Sequence, residues 1–402
     1  MRRLELLDGL RGYFLTFMML NHLYFTGGLT LVHVNHAELG FVEDAQGFVF
    51  LSGLLIGMVY ARRMSRDGFA QGAARIWHRA AELYFYALFC LFALLLAVRL
   101  LPELQPIWTN WMGELALPGW ASTLAAVTLL HQPTYMDILP QYIAYLLVAP
   151  PLVYLVLKGR WAVVAVMSAL FWMAVQLGFH LPVAAAVDGL LGRMDEGLAM
   201  RNHFNVFAWQ VVFMGGLVLG ALTSARMIEW QQVFHPERRV ILTAALAFFL
   251  FFMLFRLGWT FGLIPSLTWD RFVAITNRGE FSLVYLLNFL ATGYLLAWTM
   301  IAGPRAAEAW LRRIAELLAR LFSLPFLRLI GRHSLQVYVF HVFVVYLMLA
   351  IDRSFGPFPE VVRTALTLLA IASLAIPAWL RETDLRALLR QPMGLQRSAP
   401  AD

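Results

Sequence analysis

Four side chains that are charged, ionisable or amide fall inside the first apolar stretch of the chain, and their spacing is suited to acid–base chemistry. Asp8, Arg11, Asn21 and His22 lie in the run LDGLRGYFLTFMMLNHLYFTGGLTLV, which covers residues 7–32. In a helix, Arg11 falls within about 20° of His22 and Asp8 within about 40°, so these three side chains share one face. Arg11 and His22 are separated by about 16 Å along the axis. A charged side chain inside a membrane span costs about 2.5 kcal/mol or more, so such residues are candidates for function.

His22 is the candidate catalytic base. A neutral imidazole can act as a general base near pH 7, and burial favours the neutral form. The alternative is a structural histidine that only hydrogen-bonds neighbouring helices. Asp8 is too far along the axis to touch His22, so an orienting carboxylate must come from another helix. Asp137, in YMDILPQY, is the best candidate for that partner, as in catalytic triads. It is also a candidate helix N-cap, a compatible role, and Asp44 and Glu43 have the same two interpretations with weaker support.

Two later segments carry further polar side chains that could line a cavity. In GRHSLQVYVFHVF, Ser334, Tyr338 and His341 fall on one helical face, so His341 could share a cavity with His22. The segment HFNVFAWQVVFMGG contributes polar groups that either bond other helices or bind a sugar hydroxyl: Asn205, Trp209 and Gln210. No metal-ligand spacing, phosphate-binding loop or dinucleotide fingerprint is present. The chemistry is therefore expected to use a diffusible donor, with no bound cofactor and no metal.

The elements that position these residues are predicted to be membrane helices. The chain of 402 residues is 61% hydrophobic and only 14% charged, whereas soluble domains are about 25% charged. Segments of about 17–25 residues are long enough to cross a bilayer. We predict an all-α bundle of about ten spans, at 9–32, 46–61, 81–101, 138–157, 161–179, 205–224, 240–258, 281–301, 334–350 and 361–380. One transmembrane domain, 1–380, is expected to precede a flexible cytoplasmic tail, 381–402.

Three further features complete the predicted architecture. Residues 120–130 form an apolar piece too short to span, and residues 305–332 have the pattern of an amphipathic helix at the membrane interface. In the second span, Gly53 and Gly57 are spaced for close helix packing. Beside them, Ser52 lacks the strand and the G-x-S-x-G context of a serine hydrolase. Cys90 is expected to be an inert buried thiol.

The distribution of basic residues predicts the orientation. Most of the 31 Lys and Arg residues fall on the segments that share a side with the N-terminus, so both termini are expected in the cytoplasm. The net charge of +7 is explained by these loops and does not indicate nucleic-acid binding. The opposite loops are richer in tryptophan and acidic residues. Those tryptophans form an interfacial belt, or some of them stack on a sugar ring.

Three motifs together resemble the acyltransferase-three superfamily. LDGLRGYFLTFMMLNH is similar to its first helix, where a basic residue is followed by ten residues and a histidine, as Arg11 and His22 are. QGFVFLSGLLIG resembles its second-helix FFxLSGF-type run, although Gln46 stands where the pattern has an aspartate. IGRHSLQVYVFHVFVV resembles its LGRxSYxxYLxH segment. The first stretch, DILPQY and NVFAWQVVFMGG most resemble the OpgC group, which succinylates osmoregulated periplasmic glucans, and the resemblance covers nearly the whole chain.

The resemblance implies a multi-pass inner-membrane enzyme that transfers an acyl group, expected to be succinyl, from cytoplasmic acyl-CoA to a periplasmic glucan. His22 would be the general base, oriented by Asp137. Expected oxyanion donors are Ser334, Tyr338 and Asn205, and transfer can be direct or pass through an acyl-histidine. The basic residues expected to hold the CoA phosphates are Arg11, Arg75, Arg79 and Arg332.

Two alternatives remain open on the sequence: a transporter or flippase that uses the polar stripe as a path, and a scaffold for glucan synthesis. The partners expected on the enzyme interpretation are acyl-CoA, the glucan and the lipid bilayer. The acyl group, the glucan linkage and the oligomeric state do not follow from the sequence.

Overall fold

The described parts of the chain, residues 2–117 and 119–383 of a computed structural model, are built from helices and contain one isolated bridge between His131 and Arg201. This confirms the predicted all-α class. In chain order the helices are α1 (Arg2–His22), α2 (Asp44–Asp67), α3 (Phe69–Leu100), α4 (Leu104–Met112), α5 (Trp120–Val127), α6 (Ile138–Leu157), α7 (Trp161–Gln176), α8 (Leu181–Met194), α9 (Val206–Ser224), α10 (Trp230–Val233), α11 (Val240–Thr260), α12 (Ser266–Ile275), α13 (Leu283–Ile301), α14 (Ala309–Leu321), α15 (Pro325–Arg332), α16 (Ser334–Phe355), α17 (Glu360–Ser373) and α18 (Ala375–Glu382).

Eight stretches of this helical set are long and apolar enough to cross a membrane: α2, α3, α6, α9, α11, α13, α16, and α17 taken together with α18. A ninth is possible if α7 and α8, which are bent by 68° relative to each other, form one broken span. The chain is thus a multi-pass membrane protein. Each of the ten predicted segments overlaps a helix. However, α1 is not among the apolar candidates because its first half carries several charges, so a tenth span stays a prediction.

Two helix boundaries differ from the prediction by ten residues or more. Helix α1 ends at His22 and does not continue to residue 32, because a turn follows in which Gly27 and Gly28 have positive φ angles. Thr26 anchors this turn by donating its backbone N–H and its hydroxyl to Asp352 Oδ2, at 2.8 and 2.7 Å. Helix α3 begins at Phe69, well before residue 81, so the basic residues in its first three turns lie on a helix and not in a loop.

Helices α2 and α9 are in direct backbone contact. Any side chain added at Gly53 or Gly57 of α2 would overlap the backbone of α9, and any added at Gly216 or Gly220 of α9 would overlap the backbone of α2. This reciprocal packing confirms the prediction made from the small residues of the second span.

The predicted interfacial helix over residues 305–332 is two helices, α14 and α15, separated by a break before Pro325. Helix α14 keeps exposed apolar side chains, including Trp310 and Leu317, as expected at a lipid surface. Helix α15 packs against α1, with Gly331 lying on the carbonyl of Asp8. The second half of the predicted surface helix is therefore partly buried.

The main apolar core lies among α1, α2, α3, α6, α9 and α16 and includes the buried thiol of Cys90. The short helix α5 accounts for the predicted non-spanning piece at 120–130. The predicted tail, 381–402, lies outside the described residues from 384 onward, and α18 extends into its first residues. We call the end of the bundle where α1 begins the Arg2 end, and the end where α1 stops the His22 end.

Candidate active site

Five core helices converge on a narrow cavity beside Arg11. Its volume is about 20 Å³, which is room for about one water molecule. The polar lining combines predicted site residues with side chains of α2 and α6: Arg11, Ser52, Arg79, Tyr142, Ser334 and Tyr338. The structure therefore brings together residues that are more than 300 positions apart in sequence.

Arg11 is the half-buried cation of this cavity. Its Nη2 group donates a hydrogen bond to Ser334 Oγ, and its guanidinium lies over the Phe48 ring at 5.7 Å from the centroid. Its Nε–H group is buried and has no hydrogen-bond partner among the described residues. A buried donor without a partner is costly, and a guanidinium matches the geometry of phosphate and carboxylate oxygens. The arrangement is suited to binding an anion.

His22 and His341 form a direct pair at the end of α1. His22 Nδ1 lies 2.8 Å from His341 Nε2. On its other side, the ring of His341 places Nδ1 3.2 Å from the backbone carbonyl of Tyr338. His341 is fully buried, so the pair is anchored in the protein interior. The structure thus brings His341 into direct contact with His22, and neither residue lines the Arg11 cavity.

The hydrogen bonds assign the protons of the pair. A carbonyl oxygen can only accept, so His341 Nδ1 carries the hydrogen, and in a neutral ring Nε2 is then an acceptor. His22 Nδ1 must therefore donate to His341 Nε2. This leaves the lone pair of His22 Nε2 free, and that nitrogen can take a proton or attack an electrophilic carbon.

Tyr135 forms one wall of the histidine site. Its ring stacks on His22 with centroids 4.0 Å apart, and its backbone carbonyl accepts a hydrogen bond from Tyr338 at 2.5 Å. Its φ of 70° lies in the left-handed region, which is strained for a tyrosine. Burial raises the pKa of Tyr135 to about 12, so its hydroxyl stays protonated at neutral pH. No pattern in the sequence identifies Tyr135 as a site residue, although it lies two positions before Asp137.

Asp137 pairs with a different histidine from the one expected. Its Oδ2 accepts the backbone N–H of His203 at 3.0 Å and lies 3.3 Å from His203 Nδ1. The ring nitrogen of His22 is instead bound by His341, as described above. The side chain of Asp137 also does not cap α6. The buried carboxylate of Asp137, directly before α6, is therefore paired with an exposed histidine on the loop that precedes α9.

Another acid lies next to the polar stripe of α1. Asp44 is buried and accepts a hydrogen bond from Asn21 Nδ2 at 2.6 Å. Asn21 is the residue directly before His22 in the sequence. His36 Nε2 lies 3.7 Å from the other Asp44 oxygen. Gln46 is fully buried, and its amide atoms have no partner among the described residues.

The expected CoA-binding arginines are not all brought together. Arg79 is half-buried in the cavity wall and pairs with Glu82 at 2.6 Å. Arg75 is exposed, and Arg332 is exposed and pairs with Glu382 at 2.6 Å. Only Arg79 therefore joins Arg11 at the cavity, while the other two lie at the surface.

The three polar residues of α9 have structural partners. Asn205 Oδ1 caps α9 by accepting the backbone N–H groups of Phe207 and Ala208. The indole N–H of Trp209 donates to the backbone carbonyls of the 278–279 loop. Gln210 bonds Ser168 of α7 through both of its amide atoms, at 2.7 Å each. The alternative in which these groups bond other elements describes them better than the sugar-binding one.

No group of three His, Cys, Asp or Glu side chains within residues 2–117 and 119–383 is arranged to hold a metal ion. Comparison with known proteins gives one family match. A family model described as OpgC protein matches residues 2–385. No curated protein and no solved structure matches the chain.

Proposed function

The chain belongs to the OpgC protein family, and on that premise we propose that it transfers a succinyl group from cytoplasmic succinyl-CoA to hydroxyl groups of a periplasmic glucan. The family suggests a glucan acyltransferase. The succinyl donor, the inner membrane of a bacterium and the mechanism are parts of the proposal.

The observation that carries the proposal is the His22–His341 hydrogen bond. It supports a role for His22 in acyl transfer because it leaves Nε2 with a free lone pair inside the protein. Acyl transfer from a thioester needs a base or a nucleophile at the reacting carbonyl group and requires no bound cofactor.

Arg11 is proposed as the anion-binding residue on the donor side. It lies on the same face of α1 as His22, about 16 Å toward the Arg2 end. Its unpartnered Nε–H and the nearby Arg79 would face a phosphate of CoA, while the thioester of the extended pantetheine arm would reach His22. The Arg2 end would be cytoplasmic, in agreement with the excess of basic residues on that side.

His22 Nε2 can act in either of two ways. It can remove the proton from the glucan hydroxyl as the oxygen attacks the thioester, or it can attack the thioester itself. In both cases the ring gains positive charge, and the hydrogen bond from Nδ1 to His341 holds it in place. The expected oxyanion donors are all engaged away from His22: Tyr338 donates to the Tyr135 carbonyl, Asn205 caps α9, and Ser334 accepts from Arg11 toward the Arg2 end.

The test is the mass of periplasmic glucan from cells that express the protein or variants of it. We expect succinyl groups on the glucan with wild type and none with His22→Ala. His33→Ala, which changes an exposed histidine of the loop after α1, should leave the glucan mass unchanged. Normal succinylation by a stably expressed His22→Ala protein would refute the proposal, whereas substrate flux in proteoliposomes without acyl-CoA consumption would favour a transporter.

A further inference from the structure

A second acid–base pair lies beside the histidine site. The carboxylate of Asp137 is 5% exposed, whereas the side chain of His203 is 55% exposed. The backbone N–H of His203 donates to Asp137 Oδ2 at 3.0 Å, and the ring Nδ1 of the same residue lies 3.3 Å from that oxygen. One buried oxygen thus faces both the main chain and the ring of an exposed histidine.

This geometry orients the ring of His203. A carboxylate only accepts, so it favours the tautomer in which Nδ1 carries the hydrogen. The lone pair of Nε2 is then on the opposite, exposed edge of the ring. The same division of roles is found in catalytic triads, where the carboxylate also stabilises the imidazolium that forms. His203 is therefore built to accept a proton from an outside molecule.

The pair is connected to His22 through one segment of the chain. Tyr135 stacks on His22, and Asp137 follows two residues later. The Cα atoms of Tyr135 and Asp137 can be at most about 7 Å apart. The loop that covers this region also adjoins His203, because Gly279 packs against its carbonyl and Arg278 lies over the Phe204 ring at 5.5 Å.

The two histidines differ in exposure. His22 is half-buried, whereas the side chain of His203 is 55% exposed. The Arg11 cavity has room for about one water and not for a sugar polymer, and His22 is not among the residues that line it. A polymer hydroxyl would therefore approach from the His22 end, where His203 is exposed, and not through the Arg11 cavity.

We propose that the reaction uses both histidines: His22 carries the acyl group, and His203, positioned by Asp137, takes the proton of the glucan hydroxyl. This inference rests on the proposed function and deepens it. It selects the route through acyl-histidine and assigns a base to the second half-reaction.

The atoms balance in two steps. First, His22 Nε2 attacks the thioester carbon, a C–N bond forms, the C–S bond breaks, and the CoA thiolate leaves and takes a proton from water. Second, His203 Nε2 removes the hydroxyl proton as the glucan oxygen attacks the acyl carbon. A C–O bond forms, the C–N bond breaks, the electron pair returns to His22, and His203 releases its proton to water.

The experiment separates the two half-reactions in the purified full-length protein, with radiolabelled succinyl-CoA and unsubstituted periplasmic glucan as probes. Without glucan, rapid quenching and mass spectrometry measure CoA release and acylation of His22. With glucan, label on the glucan measures transfer. In His203→Gln we expect acylation at the wild-type rate and transfer slowed about 10²- to 10⁴-fold, the usual contribution of a general base.

Asp137→Asn is the second variant. It keeps an oxygen for the backbone N–H of His203 but removes the charge, and it should slow the same step while sparing acylation. His33→Gln is the matched control and should change neither half-reaction. Wild-type transfer by His203→Gln overturns the inference, as does equal slowing of both half-reactions or the absence of acyl-His22 in wild type. Failure of the wild type to transfer any acyl group to glucan would instead overturn the proposed function.

Discussion

Replacing His341 with phenylalanine tests the proton assignment of the active site. The substitution keeps a ring of similar size in a fully buried position but removes Nε2, the acceptor that His22 Nδ1 faces at 2.8 Å. His22 Nδ1–H would then lack its partner. The ring would be free to rotate or to exchange tautomers, so Nε2 would no longer be held with its lone pair available.

The expected size of the effect follows from the lost hydrogen bond. Leaving a buried donor unsatisfied costs about 1–3 kcal/mol. If this cost appears in the transition state, it corresponds to a fall of about 5- to 150-fold in kcat, at about 1.4 kcal/mol per factor of ten. Loss of a hydrogen bond that orients a functional histidine has effects of about 10- to 100-fold in metal sites, which is the same range.

His341→Gln is the matched variant. Its amide oxygen can reach the position of Nε2 and accept from His22, although the bond to the Tyr338 carbonyl is changed. We expect the order of kcat to be wild type, then Gln, then Phe, with the KM for acyl-CoA nearly constant because Arg11 is untouched. Initial rates of succinyl transfer to glucan measure both constants, and thermal melting in detergent checks folding.

Equal kcat values for wild type and His341→Phe, in a protein that melts normally, would refute the tautomer argument. So would a fall of the same size in both variants, because the glutamine restores the acceptor and the phenylalanine does not.

Three other predictions follow from named contacts. Arg11→Gln should raise the KM for acyl-CoA at least tenfold. Arg11→Lys should recover only part of the affinity, because a point charge replaces a bidentate guanidinium. Initial rates measured against acyl-CoA concentration give the KM of each variant. Gly331→Leu should sharply reduce the amount of folded protein on size-exclusion chromatography, because a side chain at position 331 overlaps the Asp8 carbonyl. Arg332→Leu, at the neighbouring exposed position, should leave that amount unchanged. Burial lowers the pKa of His36 from 6.5 to about 4 although Asp44 is 3.7 Å away. As the pH falls below 6.5, His36 is protonated in the unfolded chain before it is protonated in the folded protein, which favours unfolding. The melting temperature should therefore drop between pH 6.5 and 4, and it should drop less steeply in His36→Gln.

Much of the fold could be predicted from the sequence because apolar runs of sufficient length become helices in a bilayer. The glycine spacing of α2 also identified a close helix contact before its partner, α9, was known. The face shared by Arg11 and His22, and the face shared by Ser334 and His341, follow from helical periodicity alone. These features depend on spacing within one segment.

The remaining features depend on contacts between distant segments. Helix α1 stops at His22 because Thr26 is held by Asp352, more than 300 residues away. The choice between His341 and Asp137 as the partner of His22 required the packing of α16 against α1. Tyr135 and His203 lie in irregular segments, where no periodicity indicates which way a side chain points.

The glycine contact between α2 and α9 has a mechanical consequence. Two helices whose backbones touch have no side-chain layer between them that can rearrange, so we expect them to move as one rigid unit. Helix α1 is fastened to α15 in a similar way at Gly331. On the proposed function, the Arg11 cavity would have to widen to admit an acyl-CoA, and we expect its most mobile wall to be α3, whose apolar segment is only 33% buried. We therefore expect α3 to move when the cavity opens, while two helix pairs joined by glycine contacts, α2 with α9 and α1 with α15, stay in place.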